Sequence, residues 1–279
     1  MISKLVTVTC KNDFNLMIRQ AESIQKFVAP CEHLVIIEDE DFDKGFWVKH
    51  LSKYYTNHTL VLKSYNNRIK IPQSGWVRQQ ALKLIAALDC DDEYLVLDSK
   101  DFFIRFCSLA DWNGFTGSNY VEDMDYYFDI PNPFKKWRLK TSIAYSEYFN
   151  TDLLGHVFFP ITPFVINTKY IDKNTICKQM DWFLRCFYNT GCEFIFYSYL
   201  AHDQIKTFKE HKFKSVKLCD ESSMLSSFDE YVKSGLTKAN EDENVMVVAI
   251  HRDLIANFTS EQTTYVNNWI RSTGLVTGI

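Results

Sequence analysis

Apolar positions in the first hundred residues follow two periods, and the periods alternate. "KLVTVTC" (Lys4–Cys10) is a short run of strand type. From Asp13 to Val28, the residues Phe14, Met17, Ile18, Ala21, Ile24 and Val28 recur three and four apart, which predicts a helix with one buried face. "HLVIIED" reads as a second strand, "DKGFWVKHLSKYY" as a second helix and "TLVLKS" as a third strand. Ser74 reads as the N-cap of a helix whose inner stripe is Val77, Ala81, Leu84, Ile85 and Leu88. "EYLVLDSKD" is a fourth strand. Repeated β-α units with short links predict parallel strands, right-handed crossovers and helices on both faces of one sheet.

From Cys107 to Phe159 the pattern dissolves into aromatic and acidic residues, "DWNGFTGSNYVEDMDYYFDIPNPFKKW", read as irregular structure or a short helix pair over one face of the sheet. Regularity returns with a strand at "TPFVINT", a helix near Tyr170–Tyr188 and a shorter one at "EFIFYSYLAH". "NVMVVAIH" (Asn244–His251) is the last strand, and Thr259 with Gln262 match a capping box on the helix after it. With no repeat and no low-complexity linker, residues 1–279 read as one composite domain.

The composition fits that reading. A chain of 279 residues with 46% hydrophobic and 24% charged residues can bury a sizeable core, and 15% aromatics exceeds what a plain α/β domain requires. The net charge of −4, with basic residues scattered, argues against a nucleic-acid partner. The densest basic group, "FKEHKFKSVK" (Phe208–Lys217), contains a glutamate and reads as a solvated edge. Eight cysteines show no CxxC pair, so they read as reduced thiols. No signal peptide or transmembrane run is evident, and the expected location is cytoplasmic, with peripheral attachment to a membrane left open.

Open α/β sheets bind ligands at the carboxyl ends of their strands. Those ends carry Thr9, Lys11 and Asn12 after the first strand, and Glu38 and Asp39 after the second. Asp98, Lys100 and Asp101 follow the fourth, and His251 and Arg252 the last. Each is explicable as surface polarity; together they favour a polar small-molecule site. An imidazole and a carboxylate from two strand ends, His251 and Asp98, suit Mn²⁺ and, less readily, Mg²⁺.

"SGWVRQQALKL", "YLVLDSKDFFIR", "TPFVIN", "EFIFY" and "IHRDL", in that order, resemble a group of bacterial and viral GT-A-like glycosyltransferase proteins. The match in motif order spans Lys4 to Leu275. It implies an α/β, Rossmann-like fold: a mostly parallel central sheet, helices on both faces and an irregular acceptor-side insertion. Residues 1–106 would be the nucleotide-sugar-binding half and 107–279 the acceptor side. It also implies a nucleoside-diphosphate-sugar donor, a glycan or other hydroxyl acceptor, a role in surface polysaccharide or glycan synthesis, and a strand-end acid motif holding a metal and the diphosphate. The late His is implied as a further metal ligand.

The sequence departs from the usual DxD pattern. On an extended strand Asp98 and Lys100 would share a face and Asp101 would point away, so a lysine occupies the second carboxylate slot. Two arrangements follow. In one, the chain turns after Asp98 and a divalent ion binds Asp98, Asp101 and His251. In the other, the Lys100 ammonium pairs with the diphosphate and the ion is dispensable, although one lysine neutralises less charge than a dication.

Thr9, Lys11, Glu38 and Arg252 complete the candidate ligand-binding set, with Arg252 suited to phosphate. Arg78 and Lys83, on the polar side of the helix after Gly75, read either as additional cations or as a solvated helix face. Inversion at the sugar would need a general base, for which Glu193, Asp123, Asp125 and Asp181 are candidates. Glu193 is the one carried by the family-like motif, and with Asp98 it is the catalytic candidate; it also reads as an ordinary helix N-terminal acid. Trp112, Tyr120, Tyr126, Tyr127 and Trp137 read as an acceptor platform or as a core under a long loop. A Gly-rich loop after the first strand, an aspartyl nucleophile there and a GxGxxG are all missing, which argues against a nucleotidyltransferase, a phosphatase and a dehydrogenase. The rival reading is a non-catalytic carbohydrate- or nucleotide-binding protein on a glycosyltransferase fold.

Overall fold

A computed structural model describes residues 2–39, 42–65, 67–69, 75–112, 120–121, 133–151, 157–158, 162–186, 192–201, 213–218 and 228–279. The first four long strands are β1 (Ile2–Thr9), β2 (Glu32–Ile37), β3 (Thr59–Lys63) and β4 (Glu93–Asp98). Three helices alternate with them: α1 (Phe14–Phe27), α2 (Lys44–Leu51) and α3 (Trp76–Ile85). Short strands β5 (Asp101–Phe103), β6 (Tyr120–Val121) and β7 (Val157–Phe158) follow, then β8 (Phe164–Asn167), β9 (Lys214–Leu218) and β10 (Val245–Ile250). The later helices are α4 (Pro133–Phe149), α5 (Ile176–Cys186), α6 (Glu193–Leu200), α7 (Ser234–Glu241), α8 (Arg252–Ala256) and α9 (Ser260–Ser272).

The central sheet has the order β3-β2-β1-β4-β8. Its first four members are parallel, and β8 runs antiparallel to β4. Side chains alternate across it as the pleat requires. Val6, Val8, Leu34, Ile36, Tyr94 and Val96 face a core shared with α3, α5 and α6. Their neighbours Leu5, Val35, Ile37, Leu95 and Leu97 face the opposite side, against α1 and α2. Both faces are therefore dry, which is why the strands read as near-continuous apolar runs. Each fully buried Leu, Ile or Val contributes roughly 1.5–3 kcal/mol through removal from water.

Three expectations are corrected here. The single strand "EYLVLDSKD" breaks after Asp98, and β5 leaves to join a second sheet, β5-β10-β9, whose core is closed by α7 and α9. "NVMVVAIH" therefore does not extend the central sheet; β10 pairs antiparallel with β5 and parallel with β9. The stretch expected to be irregular contains the 17-residue helix α4. Its inner face carries hydroxyls among the apolar residues: Ser142 and Ser146 bond the buried Tyr199 hydroxyl at 2.9 and 3.0 Å, and Tyr145 is fully buried. The capping box on α9 is present as expected, with Thr259 Oγ1 accepting from Gln262 N–H.

Candidate active site

Topology delivers the strand ends to one edge. β1, β2 and β4 are parallel, so Thr9, Glu38 and Asp98 emerge together. Because β8 runs the other way, Thr162, just before it, arrives beside the end of β4. β10 joins them through β5, with Ala249 opposite Asp101. The segment Asp98–Asp101 is thus the corner between two sheets. The Asp98 N–H closes it by donating to Asp101 Oδ2 at 2.9 Å. From α1, Gln20 Nε2 donates to the backbone oxygens of Asp98 and Asp101, at 2.7 and 2.9 Å. Ser99 Oγ donates to Asp13 Oδ2 at 2.9 Å, and the other oxygen of Asp13 accepts from Arg252 at 3.0 Å. Asp13 so ties the ends of β1, β4 and β10.

Around this corner stands a lysine–carboxylate cluster. Lys83 Nζ donates to Asp98 Oδ1 at 2.7 Å and to Glu193 Oε1 at 2.8 Å. Lys100 Nζ donates to Asp98 Oδ2 at 2.9 Å, and the Thr162 hydroxyl donates to the same oxygen at 3.2 Å. Lys217 pairs with Asp101 Oδ1 and bonds Thr162 Oγ1 at 3.0 Å. Burial works to raise the Asp98 pKa, but the ammonium groups of Lys100, Lys83 and Lys217 outweigh it and hold this carboxyl well below its usual range. Burial likewise opposes the charge on Lys83, and Asp98 and Glu193 overcome it, so Lys83 stays protonated. For Glu193 burial wins: its carboxyl is raised despite the pull of Lys83. Its second oxygen, Oε2, has no partner among the described residues. The orphan is notable because buried carboxylate oxygens are normally bonded.

A second group lies along the same edge. Glu38 Oε1 accepts from the Gly75 N–H at 2.7 Å, and Glu38 N–H donates to Thr9 O. Gly75 sits at φ 88°, a backbone region costly for any residue with a Cβ, and this places the N-terminus of α3 against Glu38. Arg78 follows in the first turn of α3, buried. Thr9 is fully buried and its Oγ1 has no partner among the described residues. Lys11 is exposed, and its backbone N–H donates to Asp39 Oδ2 at 2.9 Å.

Arg78 and Lys83 are therefore not on a solvated helix face; α3 is enclosed on that side too. Trp112 is 1% exposed in the core, not an acceptor platform. Asp181 stands on α5. Ser74, Asp123, Asp125, Tyr126 and Tyr127 lie outside the described residues, as do the side chains of Tyr120 and Trp137; Gly75 occupies the N-cap of α3.

The expected metal set does not assemble. Among the described residues no three His, Cys, Asp or Glu side chains gather to hold an ion. The chain does turn after Asp98 and bring Asp101 back, but its carboxylate is spent on Lys217 and the Asp98 N–H. His251 Nδ1 accepts from the Asp253 N–H at 3.3 Å, and burial, then the nearby Lys100 charge, lowers its pKa. Lys217, Thr162 and Gln20 were missed from the sequence. The alternation of Val216 and Leu218 in "KSVKL", both buried, is the strand signal that would have found Lys217.

No family model matches the sequence, and no curated protein matches it. Solved structures do. The galactosyltransferase LgtC, in complex with donor and acceptor sugar analogues, aligns with a TM-score of 0.50 at 13% identity, over 99% of this chain and 97% of its own. The fold is that of the GT-A glycosyltransferases. The apo structure of bifunctional WbbM matches at a TM-score of 0.48 and 12% identity, over 89% of this chain but only 45% of that one, so this chain spans less than half of WbbM. Apo mouse xyloside xylosyltransferase 1 matches at 0.45 and 8% identity, over 91% and 99%. No described helix is long and apolar enough to cross a membrane.

Proposed function

We propose that this chain transfers a sugar from a nucleoside-diphosphate-sugar donor to a hydroxyl acceptor, a glycan or similar molecule. The observation that carries the reading is the cluster at the β4 end: ammonium groups of Lys83 and Lys100 held on Asp98, beside a buried Glu193 with one oxygen unpartnered among the described residues, on a GT-A fold. In the transfer, the bond between the anomeric carbon and the terminal phosphate oxygen breaks and its electron pair leaves with the nucleoside diphosphate. The acceptor oxygen bonds to the anomeric carbon, and its proton goes to a base. Positive groups fixed where the leaving charge grows stabilise the transition state more than the bound donor. Glu193, its pKa raised by burial, takes the role of the base on the acceptor side. Thr9, Glu38 and Arg78 are assigned to the nucleotide, and Arg252 to phosphate.

The test is release of nucleoside diphosphate from a panel of sugar nucleotides, with and without simple sugar acceptors. Glu193→Gln should lower kcat by about 10²–10⁴-fold while nucleotide binding persists. Asp98→Ala should abolish slow donor hydrolysis. Absence of release from every donor, for wild type as for Asp98→Ala, would leave a carbohydrate-binding protein instead.

A further inference from the structure

The corner at Asp98 is already neutral without an ion. Three carboxylates, Asp98, Asp101 and Glu193, meet three ammonium groups, Lys83, Lys100 and Lys217. Both oxygens of Asp98 accept from lysines, one from each side. The Asp101 side chain is 0% exposed. A divalent ion needs carboxylate oxygens that are anionic in excess and open to it, and this corner offers neither. To enter, the ion would have to strip an ammonium from Asp98 and then sit beside that same ammonium.

Lys100 is built differently from its two companions. Lys83 is buried between two carboxylates, and Lys217 is spent on Asp101 and Thr162. Lys100 remains 21% exposed and donates one hydrogen bond, to Asp98; its ammonium keeps two donors without a partner among the described residues. Its charge also helps to lower the pKa of His251, so the ammonium lies within electrostatic reach of that ring.

We infer that Lys100 is the group that meets the donor's diphosphate, and that donor binding and transfer use this ammonium in place of a divalent ion. Asp98 is then a positioning residue: it holds Lys100 from one side while Lys83, locked by Glu193, holds Asp98 from the other. Fixing an otherwise flexible lysine removes the rotamer entropy that would weaken a single ammonium as an electrophilic partner. The inference rests on the glycosyltransferase reading.

Titration calorimetry of nucleoside diphosphates (UDP, GDP, CDP, ADP) in EDTA and in Mn²⁺ tests it. One of them should bind in EDTA with an affinity within about threefold of that in Mn²⁺. Lys100→Gln, which keeps a donor to Asp98 without the charge, should weaken that binding tenfold or more at an unchanged melting temperature. Lys100→Asp should lose binding in EDTA and acquire Mn²⁺, read directly by electron paramagnetic resonance without nucleotide. Binding by the wild type only with Mn²⁺, or wild-type affinity in Lys100→Gln, overturns the inference and leaves the glycosyltransferase reading standing. Failure of every nucleoside diphosphate and sugar nucleotide to bind in both media overturns that reading and this inference with it.

Discussion

Two buried polar networks meet at the Asp98–Asp101 corner, and they are built on opposite principles. One is ionic: lysines and carboxylates, with one oxygen of Glu193 unbonded among the described residues. The other is neutral and runs through the sheet. Tyr55 OH lies 2.7 Å from His33 Nδ1, His33 Nε2 lies 2.9 Å from Thr7 Oγ1, and Thr7 donates to Gln20 Oε1 at 2.8 Å. Thr7 has one proton and gives it to Gln20, so it must accept from His33 Nε2–H; His33 Nδ1 then accepts from Tyr55. Gln20 spends both its N–H donors on the corner. Every group in this chain is satisfied in one direction only, which fixes the neutral tautomer of His33. The neutral network thus acts as a rigid brace, and the ionic one gathers charge at the corner, where Glu193 Oε2 has no hydrogen-bond partner among the described residues. Rigidity beneath a charged, partly exposed group is what the proposed contact of Lys100 with a diphosphate would require.

The comparison breaks first if the ionic network is dispensable to the fold. Lys83→Met leaves the buried Glu193 beside the half-buried Asp98 without their shared cation, and it should cost about 3–5 kcal/mol in urea unfolding. A loss below about 1 kcal/mol would mean that water reaches the pair. The neutral network answers to pH instead. Burial, then the field of His58, pushes the folded pKa of His33 down to about 3 from the ordinary 6.5. Between those values the unfolded chain binds a proton that the folded chain refuses. Stability is therefore present above the unfolded pKa and lost as pH falls below it. From about pH 8 to about pH 5 the loss from this one group is about 2 kcal/mol. His58 and His251, both lowered chiefly by burial, add slope in the same direction. His33→Phe should flatten the pH dependence measured by denaturant titration without removing it.

Much of this was legible in the sequence because β-α alternation gives the parallel sheet, and a parallel sheet gives its own carboxyl edge. Asp98, Lys100 and His251 could be nominated as strand-end residues, whereas Glu193, at the start of α6, was nominated by the resemblance of "EFIFY". What failed to show had physical reasons. α4 was hidden because its inner face carries Ser142 and Ser146, hydroxyls that pair with Tyr199 and do not register as an apolar stripe. β9 was hidden because its non-core positions are Lys214, Ser215 and Lys217, and a short strand edged with lysine and serine resembles a solvated loop. Lys83 could not be told from a surface lysine, since its burial depends on Glu193, 110 positions away. The turn after Asp98 was one of the two arrangements the sequence allowed, but the departure of β5 into a second sheet depends on its pairing with β10, more than 140 positions away.

The smallest expected effect sharpens the contrast at the other end of the same strands. Lys4 and Glu32, at the amino edge, pair at 2.7 Å, the same separation as Lys83 and Asp98. The side chains are 19% and 32% exposed there, and Lys4 also donates to the backbone oxygen of Asp89 at 2.7 Å and feels the charge of Asp91. Water and salt screen such a pair, and holding two long side chains together opposes the Coulomb gain. Glu32→Gln should change stability by less than about 1 kcal/mol and leave the proposed transfer at the wild-type rate. Its small effect should shrink further as salt is raised, whereas the Lys83→Met deficit should persist. Equal deficits at the two edges would show that a short lysine–carboxylate distance matters in itself, and that enclosure at the corner adds nothing.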